Sequence, residues 1–179
     1  MCYNHFGDGM NNIKLETLSL CRYDENKYGS VIESFKNESK SKFIHNIDER
    51  LDGSKNCNTF TFQSAYIILK EDNPVGYIYL SSVFKDEVYL ELSILKEYRG
   101  MGIGKIVTNE VCDFLFNNYN IRVVKLDIDP SNKNSILTAK ACDFEFDEED
   151  YESKNFSGHM VFFKESSCYE SKLRRKLWN

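Results

Sequence analysis

A glycine-rich segment at residues 99–104, Arg-Gly-Met-Gly-Ile-Gly, is the part of the chain best suited to bind a ligand. Glycine lets a backbone turn sharply and approach a ligand closely. The pattern that follows predicts an amphipathic helix, whose first N–H groups lack intrahelical partners and carry the positive end of the helix dipole. Such a turn predicts a site for phosphate oxygens. The alternative is a glycine-rich turn that binds nothing.

Two common phosphate-binding motifs do not fit this segment. A P-loop requires Gly-Lys followed by Ser or Thr, but Gly104-Lys105 is followed by Ile106, and Arg99 stands where the first glycine belongs. The dinucleotide fingerprint is Gly-x-Gly-x-x-Gly after an early βαβ unit, whereas here the glycines run Gly-x-Gly-x-Gly without one.

Short elements are predicted around this segment. Strands are predicted at 15–20, 59–70, 75–83, 88–95 and 123–128, then at Phe144–Phe146 and 160–163, with helices within 24–52, over 103–117 and at 131–141. Residues 24–52 carry enough apolar positions at helical spacing for two helices. The segment Glu71-Asp72-Asn73-Pro74 predicts the turn of a hairpin. The strand 88–95 is apolar on both faces except at Glu91 and Ser93, which is typical of a central strand. The order predicts an α/β or α+β fold with a mixed sheet.

Composition narrows the class of protein. The chain has 179 residues, 41% hydrophobic and 14% aromatic, which suits one folded domain. A net charge of −5 argues against a general nucleic-acid binder. The first residues are polar, unlike a signal peptide, and no apolar run is long enough to span a membrane.

The six cysteines form no Cys-x-x-Cys pair and only three histidines accompany them, which argues against a zinc or redox site. They are expected to be small core residues in a reducing compartment, and we expect a cytoplasmic protein.

Two motifs resemble one family. Residues 92–104 resemble motif A of the GCN5-related N-acetyltransferases (GNAT family), with Arg99, Gly102 and Gly104 at its fixed positions. Residues 132–136, Asn-Lys-Asn-Ser-Ile, followed by Phe144, resemble motif B. The resemblance covers roughly residues 13–164. It implies a mixed, mostly antiparallel central sheet of about six or seven strands, flanked by about four helices. We expect one GNAT domain over residues 1–166 and a basic tail at 167–179.

The resemblance implies acetyl-CoA as co-substrate, bound by the glycine-rich segment. The backbone N–H groups of Gly102, Ile103, Gly104 and Lys105 would hold the pyrophosphate. Gly100 and Met101 belong to the same cofactor-binding loop. Arg99 and Lys105 would supply cations near phosphate, although Arg99 on its own could equally be a solvated turn residue.

The resemblance also implies where the thioester arm lies. The strand that ends at Ile94 and Leu95 would part from its neighbour, and its backbone groups would pair with the pantetheine arm as a peptide adds to a sheet edge. Asn132 would hydrogen-bond the arm from the other side. Ser135 would lie near the thioester.

One family feature is missing. Many members have a Tyr five residues before the Phe of motif B, which protonates the departing thiolate; here that position is Ala139. The Gly before the Phe is Asp143. A CoA thiol with a pKa of about 8.5 is a tolerable leaving group without an acid. Water or Ser135 could assist, and proximity supplies much of the rate.

Glu91 is the candidate general base, because an amine attacks only after losing its proton. It lies three residues before Ile94, where many relatives carry a catalytic or substrate-binding Glu. Partial burial would raise its pKa toward neutrality. The alternatives are that Glu91 binds the substrate ammonium or pairs with a neighbouring cation. Glu87 is a weaker candidate.

These observations predict direct transfer of acetyl from acetyl-CoA to a primary amine: a protein N-terminus, a polyamine or a small amine. A catalytically silent acyl-CoA-binding module and an unrelated phosphate-binding protein are the alternatives. No nucleic acid or membrane span is expected, and the protein would be a monomer or homodimer. The acidic run at 143–152 could attract a polyamine or a basic peptide, or be a solvated loop. The basic residues at 172–178 could dock on that run, contact a membrane surface or be disordered.

Overall fold

The structure is a computed structural model that describes residues 12–38, 51, 63–84, 86–119, 121–148 and 158–167. Its strands are β1 Asn12–Lys14, β2 Ser19–Arg22, β3 Gln63–Lys70, β4 Asn73–Phe84, β5 Glu87–Ile94, β6 Val123–Ile128, β7 Glu145–Phe146 and β8 Met160–Glu165. Its helices are α1 Glu25–Glu38, α2 Ile103–Asn118 and α3 Lys133–Ala141, with a 3-10 turn at Lys96–Tyr98. The strands form one sheet in the order β1-β2-β3-β4-β5-β6-β8-β7. Among the described strands only β5 and β6 pair in parallel.

The sheet has a hydrophobic cluster on each face, because successive side chains of a strand point to opposite sides. One cluster joins alternate strand residues such as Ile78 and Leu90 to α2 residues such as Val107. The other joins Tyr77 and Tyr79 of β4 to α1 residues such as Phe35. The faces are therefore called the α2 face and the α1 face.

The mixed, mostly antiparallel sheet agrees with the prediction, and β5 is central in it. Within the described residues the sheet has eight strands, one more than predicted, because the prediction of one strand at 15–20 is wrong. The chain instead turns there, with the Leu15 N–H donating to Leu18 O at 3.0 Å, and β1 and β2 form a hairpin. Glu110 of α2 fixes the turn, since its Oε1 accepts from the Thr17 hydroxyl at 2.6 Å. Glu110 is distant from this turn in sequence, so the local alternation of apolar and polar residues gives no sign of the contact.

The turn predicted at 71–74 is shorter than expected. Glu71 and Asp72 alone turn, with φ of 49° and 65°, and Asn73 and Pro74 already pair with β3. Two-residue turns with positive φ match the twist of a hairpin, so the strands run up to them. Ile106, placed on the apolar face of α2, is 40% exposed.

Of the two helices predicted within 24–52, the first is α1. The second lies outside the described residues except for Leu51, which is buried against the α1 face. Residues 168–179 of the predicted tail and residues 149–152 of the acidic run also lie outside the described residues. No helix of the described part is long and apolar enough to cross a membrane.

Candidate active site

The glycine-rich segment forms an open turn before α2. Gly100 and Gly102 both have φ of 76°, a left-handed conformation that favours glycine. Gly102 caps α2, and the first intrahelical bond runs from Ile106 N to Gly102 O at 3.1 Å. The N–H groups of Ile103, Gly104 and Lys105 precede that bond and so have no carbonyl one turn back.

Next to this turn, β5 and β6 separate. They pair at Glu87–Val123, Val88–Val124 and Tyr89–Lys125, and no pairing continues beyond Tyr89, although β5 runs on to Ile94 and β6 to Ile128. The two strands therefore part toward their carboxyl ends, beside the start of α2. We call the space between residues 90–94 and 126–128 the strand gap.

At the end of β5, some backbone groups bond to β4 and others point into the strand gap. The Leu95 N–H donates to Val75 O of β4 at 2.9 Å, and Leu95 O accepts from Tyr98 N at 2.9 Å. Because strand residues alternate, the N–H groups of Leu92 and Ile94 point the other way, into the gap. Leu95, one of the two residues predicted to contact the cofactor, has both backbone groups bonded within the protein, so the N–H groups that point into the gap are those of Leu92 and Ile94.

Arg99 folds back onto this strand end. Its Nε donates to Ile94 O at 2.8 Å, so the guanidinium lies between the last residue of β5 and the glycine turn. Lys105, in the first turn of α2, is exposed, as is Met101 at 61%. The two predicted cations thus belong to the residues that begin and follow the glycine turn.

The start of α3 holds the motif B residues. Asn132 is its N-cap, with Oδ1 accepting from Ser135 N at 3.2 Å. Its side-chain oxygen is therefore engaged in the helix cap, while its amide nitrogen is a donor. Ser135 is half-buried, and Ala139, at the position of the missing Tyr, has 0% exposure and belongs to the core. The site has no phenol at this position.

Glu91 projects from β5 on the α1 face, and Tyr77 orients it. Tyr77, 1% exposed on β4, donates its hydroxyl to Glu91 Oε1 at 2.9 Å. The ring is held edge-on against Phe35 of α1, with centroids 5.2 Å apart. Tyr77 is a partner of the candidate base that the sequence analysis did not name. Tyr77 lies diagonal to Glu91 because Tyr79 pairs directly with Glu91. The β3–β4 turn helps to determine this register.

Glu87, the weaker candidate, lies at the other end of β5. Its carboxylate contacts Arg122 Nη2 at 2.9 Å and Lys125 Nζ at 3.3 Å. Arg122 also bonds Asp86 at 3.0 Å, and this hydrogen bond raises the pKa of the guanidinium. A shallow cavity of about 430 Å³ opens there, lined by Glu87, Arg122 and Phe163 among others. It lies where β5 and β6 are paired, away from the strand gap, and Glu87 belongs to an ion-pair cluster.

The described residues contain no cluster of His, Cys, Asp and Glu that could hold a metal ion. Two of their cysteines are core residues: burial raises the pKa of Cys112 to about 12 and also raises that of Cys142.

Comparison with known proteins identifies the family. The model of the acetyltransferase (GNAT) family matches residues 30–144, which include the glycine turn, the strand gap and α3. The chain belongs to the acetyltransferase (GNAT) family. A search of curated proteins found no match.

Solved GNAT structures share the fold. RimL, a ribosomal alpha-N-protein acetyltransferase in complex with coenzyme A, superposes with a TM-score of 0.68 at 12% identity, over 86% of this chain and 97% of that one. A spermidine N-acetyltransferase SpeG chimera from Vibrio cholerae and hSSAT gives 0.62 at 14% identity, over 87% and 99%. The Campylobacter jejuni N-acetyltransferase PseH with acetyl coenzyme A gives 0.62 at 14% identity, over 84% and 99%.

Proposed function

We propose that this GNAT protein is an N-acetyltransferase that binds acetyl-CoA and transfers the acetyl group directly to a primary amine in a ternary complex. The observation that carries the proposal is the strand gap beside the open N-terminus of α2. The helix N-terminus suits a diphosphate, and a strand edge suits an extended amide-containing arm. Few ligands other than coenzyme A combine the two.

Neighbouring elements bind the diphosphate and the pantetheine arm. The N–H groups of residues 102–105 hold the diphosphate, with Arg99 and Lys105 as flanking cations. The N–H groups of Leu92 and Ile94 pair with the pantetheine amides, and the Asn132 side-chain amide donates from the opposite wall. The thioester is thereby held in the strand gap near Ser135.

The acceptor reaches the thioester from the α1 face, because α2 and the diphosphate site are on the other. Glu91 takes one proton from the acceptor ammonium, directly or through water, and the neutral nitrogen attacks the acetyl carbon. The new C–N bond forms, the C–S bond breaks, and the thiolate takes a proton from water or Ser135. Nitrogen loses its second proton to solvent, leaving an amide and CoA.

A catalytically silent CoA-binding module is the second candidate, and the buried Ala139 in place of a phenol favours it. Calorimetry with CoA and a thiol-release assay over primary amines, polyamines and peptides separate the outcomes. We expect CoA binding and amine-dependent thiol release. CoA binding without release from any acceptor would identify the silent module, and absence of CoA binding would contradict both.

A further inference from the structure

We propose that Asp127 of β6 is a specificity-determining residue of the acceptor site, and that it selects acceptors carrying a second amine, such as diamines and polyamines. The inference rests on the proposed transferase function and narrows its acceptor. It follows from the position of Asp127 on the wall of the strand gap opposite Glu91.

The register of β5 and β6 gives that position. Their last pair is Tyr89–Lys125, and the same register carried forward places Asp127 level with Glu91 just where the strands have parted. Lys125 and Asp127 are two residues apart and share a side of the sheet, as do Tyr89 and Glu91. Both carboxylates therefore project from the α1 face, one from each wall of the gap.

Each carboxylate is oriented by a ring on its own wall. Tyr77 bonds Glu91 at 2.9 Å, and His159 Nδ1 lies 3.0 Å from Asp127 Oδ1. His159 directly precedes β8, and the pairing of Asp127 with Val161 places it diagonal to Asp127. Since β8 is on the far side of β6 from the gap, His159 holds Asp127 Oδ1 from that side as a positioning residue, and Oδ2 is the oxygen that an acceptor in the gap would meet. The Asp127 side chain is 50% exposed and can be reached by an acceptor.

The neighbouring cations on this face point elsewhere. Lys125, next in the row on β6, contacts Glu87 Oε2 at 3.3 Å. Arg122 contacts Asp86 and Glu87 at the same end. These cations are thus matched by carboxylates where the strands are paired, whereas Glu91 and Asp127 are the acidic residues of β5 and β6 that lie level with the gap.

The transfer step makes a second amine useful. An acceptor with one ammonium loses its charge when it reacts, and its electrostatic attraction to Asp127 is then lost. A second ammonium stays protonated throughout, because an alkylamine has a pKa of about 10, and it can remain beside Asp127. A carboxylate on the acceptor would instead be repelled. The arrangement favours a diamine over a monoamine of equal length, and disfavours amino acids.

The test compares 1,5-diaminopentane with pentylamine in the thiol-release assay, using wild type, Asp127→Asn and Asp113→Asn. Asp113 is exposed on α2, so its variant removes the same charge far from the gap. For the half-exposed Asp127 we expect kcat/KM for the diamine to fall about three- to fivefold, mainly through KM. Pentylamine and the Asp113 control should change by less than about twofold. The diamine preference should weaken with added salt in wild type and be salt-insensitive in Asp127→Asn.

As a single variant, His159→Ala should raise KM for the diamine. Added to Asp127→Asn, the same substitution should cause no further rise in KM, since His159 acts through the Asp127 carboxylate. Equal use of both amines by wild type, or equal losses for both in Asp127→Asn, would overturn the inference and leave the transferase function intact. Absence of thiol release with every amine would contradict the function itself. Calorimetry of diaminopentane on the protein–CoA complex would then decide on Asp127, since unchanged affinity in Asp127→Asn overturns its role.

Discussion

Glu91 lies in the middle of β5, where its carboxylate is half-buried and accepts a hydrogen bond from the buried Tyr77. A base must present its oxygen to the ammonium at hydrogen-bond distance, so orientation matters as much as proton affinity. In the proposed mechanism Tyr77 supplies that orientation, and Phe35 packs edge-on against its ring. The residue was predicted from the sequence, whereas its orienting partner depends on strand register.

Replacing Glu91 by Gln should separate its catalytic role from a structural one. A general base contributes about 10²–10⁴-fold, so kcat should fall by at least about 100-fold near neutral pH, with CoA affinity unchanged. Tyr77→Phe keeps the ring and loses only the hydroxyl, and kcat should fall about three- to tenfold. The measurements are pH–rate profiles and CoA calorimetry. An unaltered profile in Glu91→Gln would remove Glu91 as the base.

Cys112 should make stability depend on alkaline pH. Burial raises the pKa of its thiol to about 12, whereas an unfolded Cys ionises near about 8.5. The unfolded chain therefore loses this proton first. The contribution to the free energy of unfolding is fully present below about pH 8.5 and is lost as pH rises toward 12.

Urea unfolding from pH 7 to 10 should thus show a falling midpoint in wild type and a flatter dependence in Cys112→Ala. Val111→Ala is the control, because it makes a cavity at a neighbouring buried position without removing a thiol. If the slope is the same in Cys112→Ala and Val111→Ala, Cys112 is not its source.

At the scale of elements, the proposed diphosphate site lies at the junction of β5 and α2. Gly100 and Gly102 have open space where a Cβ would lie, so their need for glycine is conformational. Gly104 differs, because its added Cβ would meet Leu92 Cδ2 at 3.8 Å and Thr138 Cγ2 at 4.0 Å, ordinary contacts on the protein side of the turn. The N–H of an alanine there would remain open to a phosphate.

Gly102→Ala and Gly104→Ala therefore form a matched pair. At φ of 76° an L-residue costs about 1–2 kcal/mol, so Gly102→Ala should lower stability by that amount or distort the turn. We expect at least about tenfold weaker CoA binding for Gly102→Ala and less than about threefold change for Gly104→Ala. Thermal unfolding and CoA calorimetry measure both. Equal CoA affinities in the two variants would place the diphosphate elsewhere.

The elements also show how far local patterns reach. The strand at 123–128 was predicted with its observed bounds, because its apolar residues are flanked by clear turn signals. The prediction at 15–20 was wrong because a side chain of α2 stabilises the turn there. The bond from the Leu95 N–H to Val75 O and the bond from Tyr77 to Glu91 depend on pairing between strands. The spacing of residues along the chain does not show that pairing.

For the whole molecule, the two faces of the sheet carry different parts of the proposed site. The α2 face carries the open helix N-terminus and the α3 cap, and the α1 face carries Glu91 and Asp127. The strand gap connects the two faces of the sheet. The glycine turn and motif B, both predicted from sequence, come from the α2 side, where backbone geometry restricts residue choice. The proposed acceptor side depends on side chains from separate strands, and of these the sequence analysis named Glu91 as a candidate and did not name Tyr77 or Asp127.

Amide hydrogen exchange offers a direct test of the strand gap. The Leu95 N–H already bonds Val75 O, so its exchange should be slow with or without CoA. The N–H groups of Leu92 and Ile94 point into the gap and should be protected on CoA binding, by about tenfold or more, because the arm supplies their acceptors. Both classes of amide lie on one strand, so a general gain in stability would slow all three. Protection of Leu92 and Ile94 beyond that of Leu95 requires a ligand in the gap. A uniform change along β5 would mean that CoA stabilises the sheet without lying between β5 and β6.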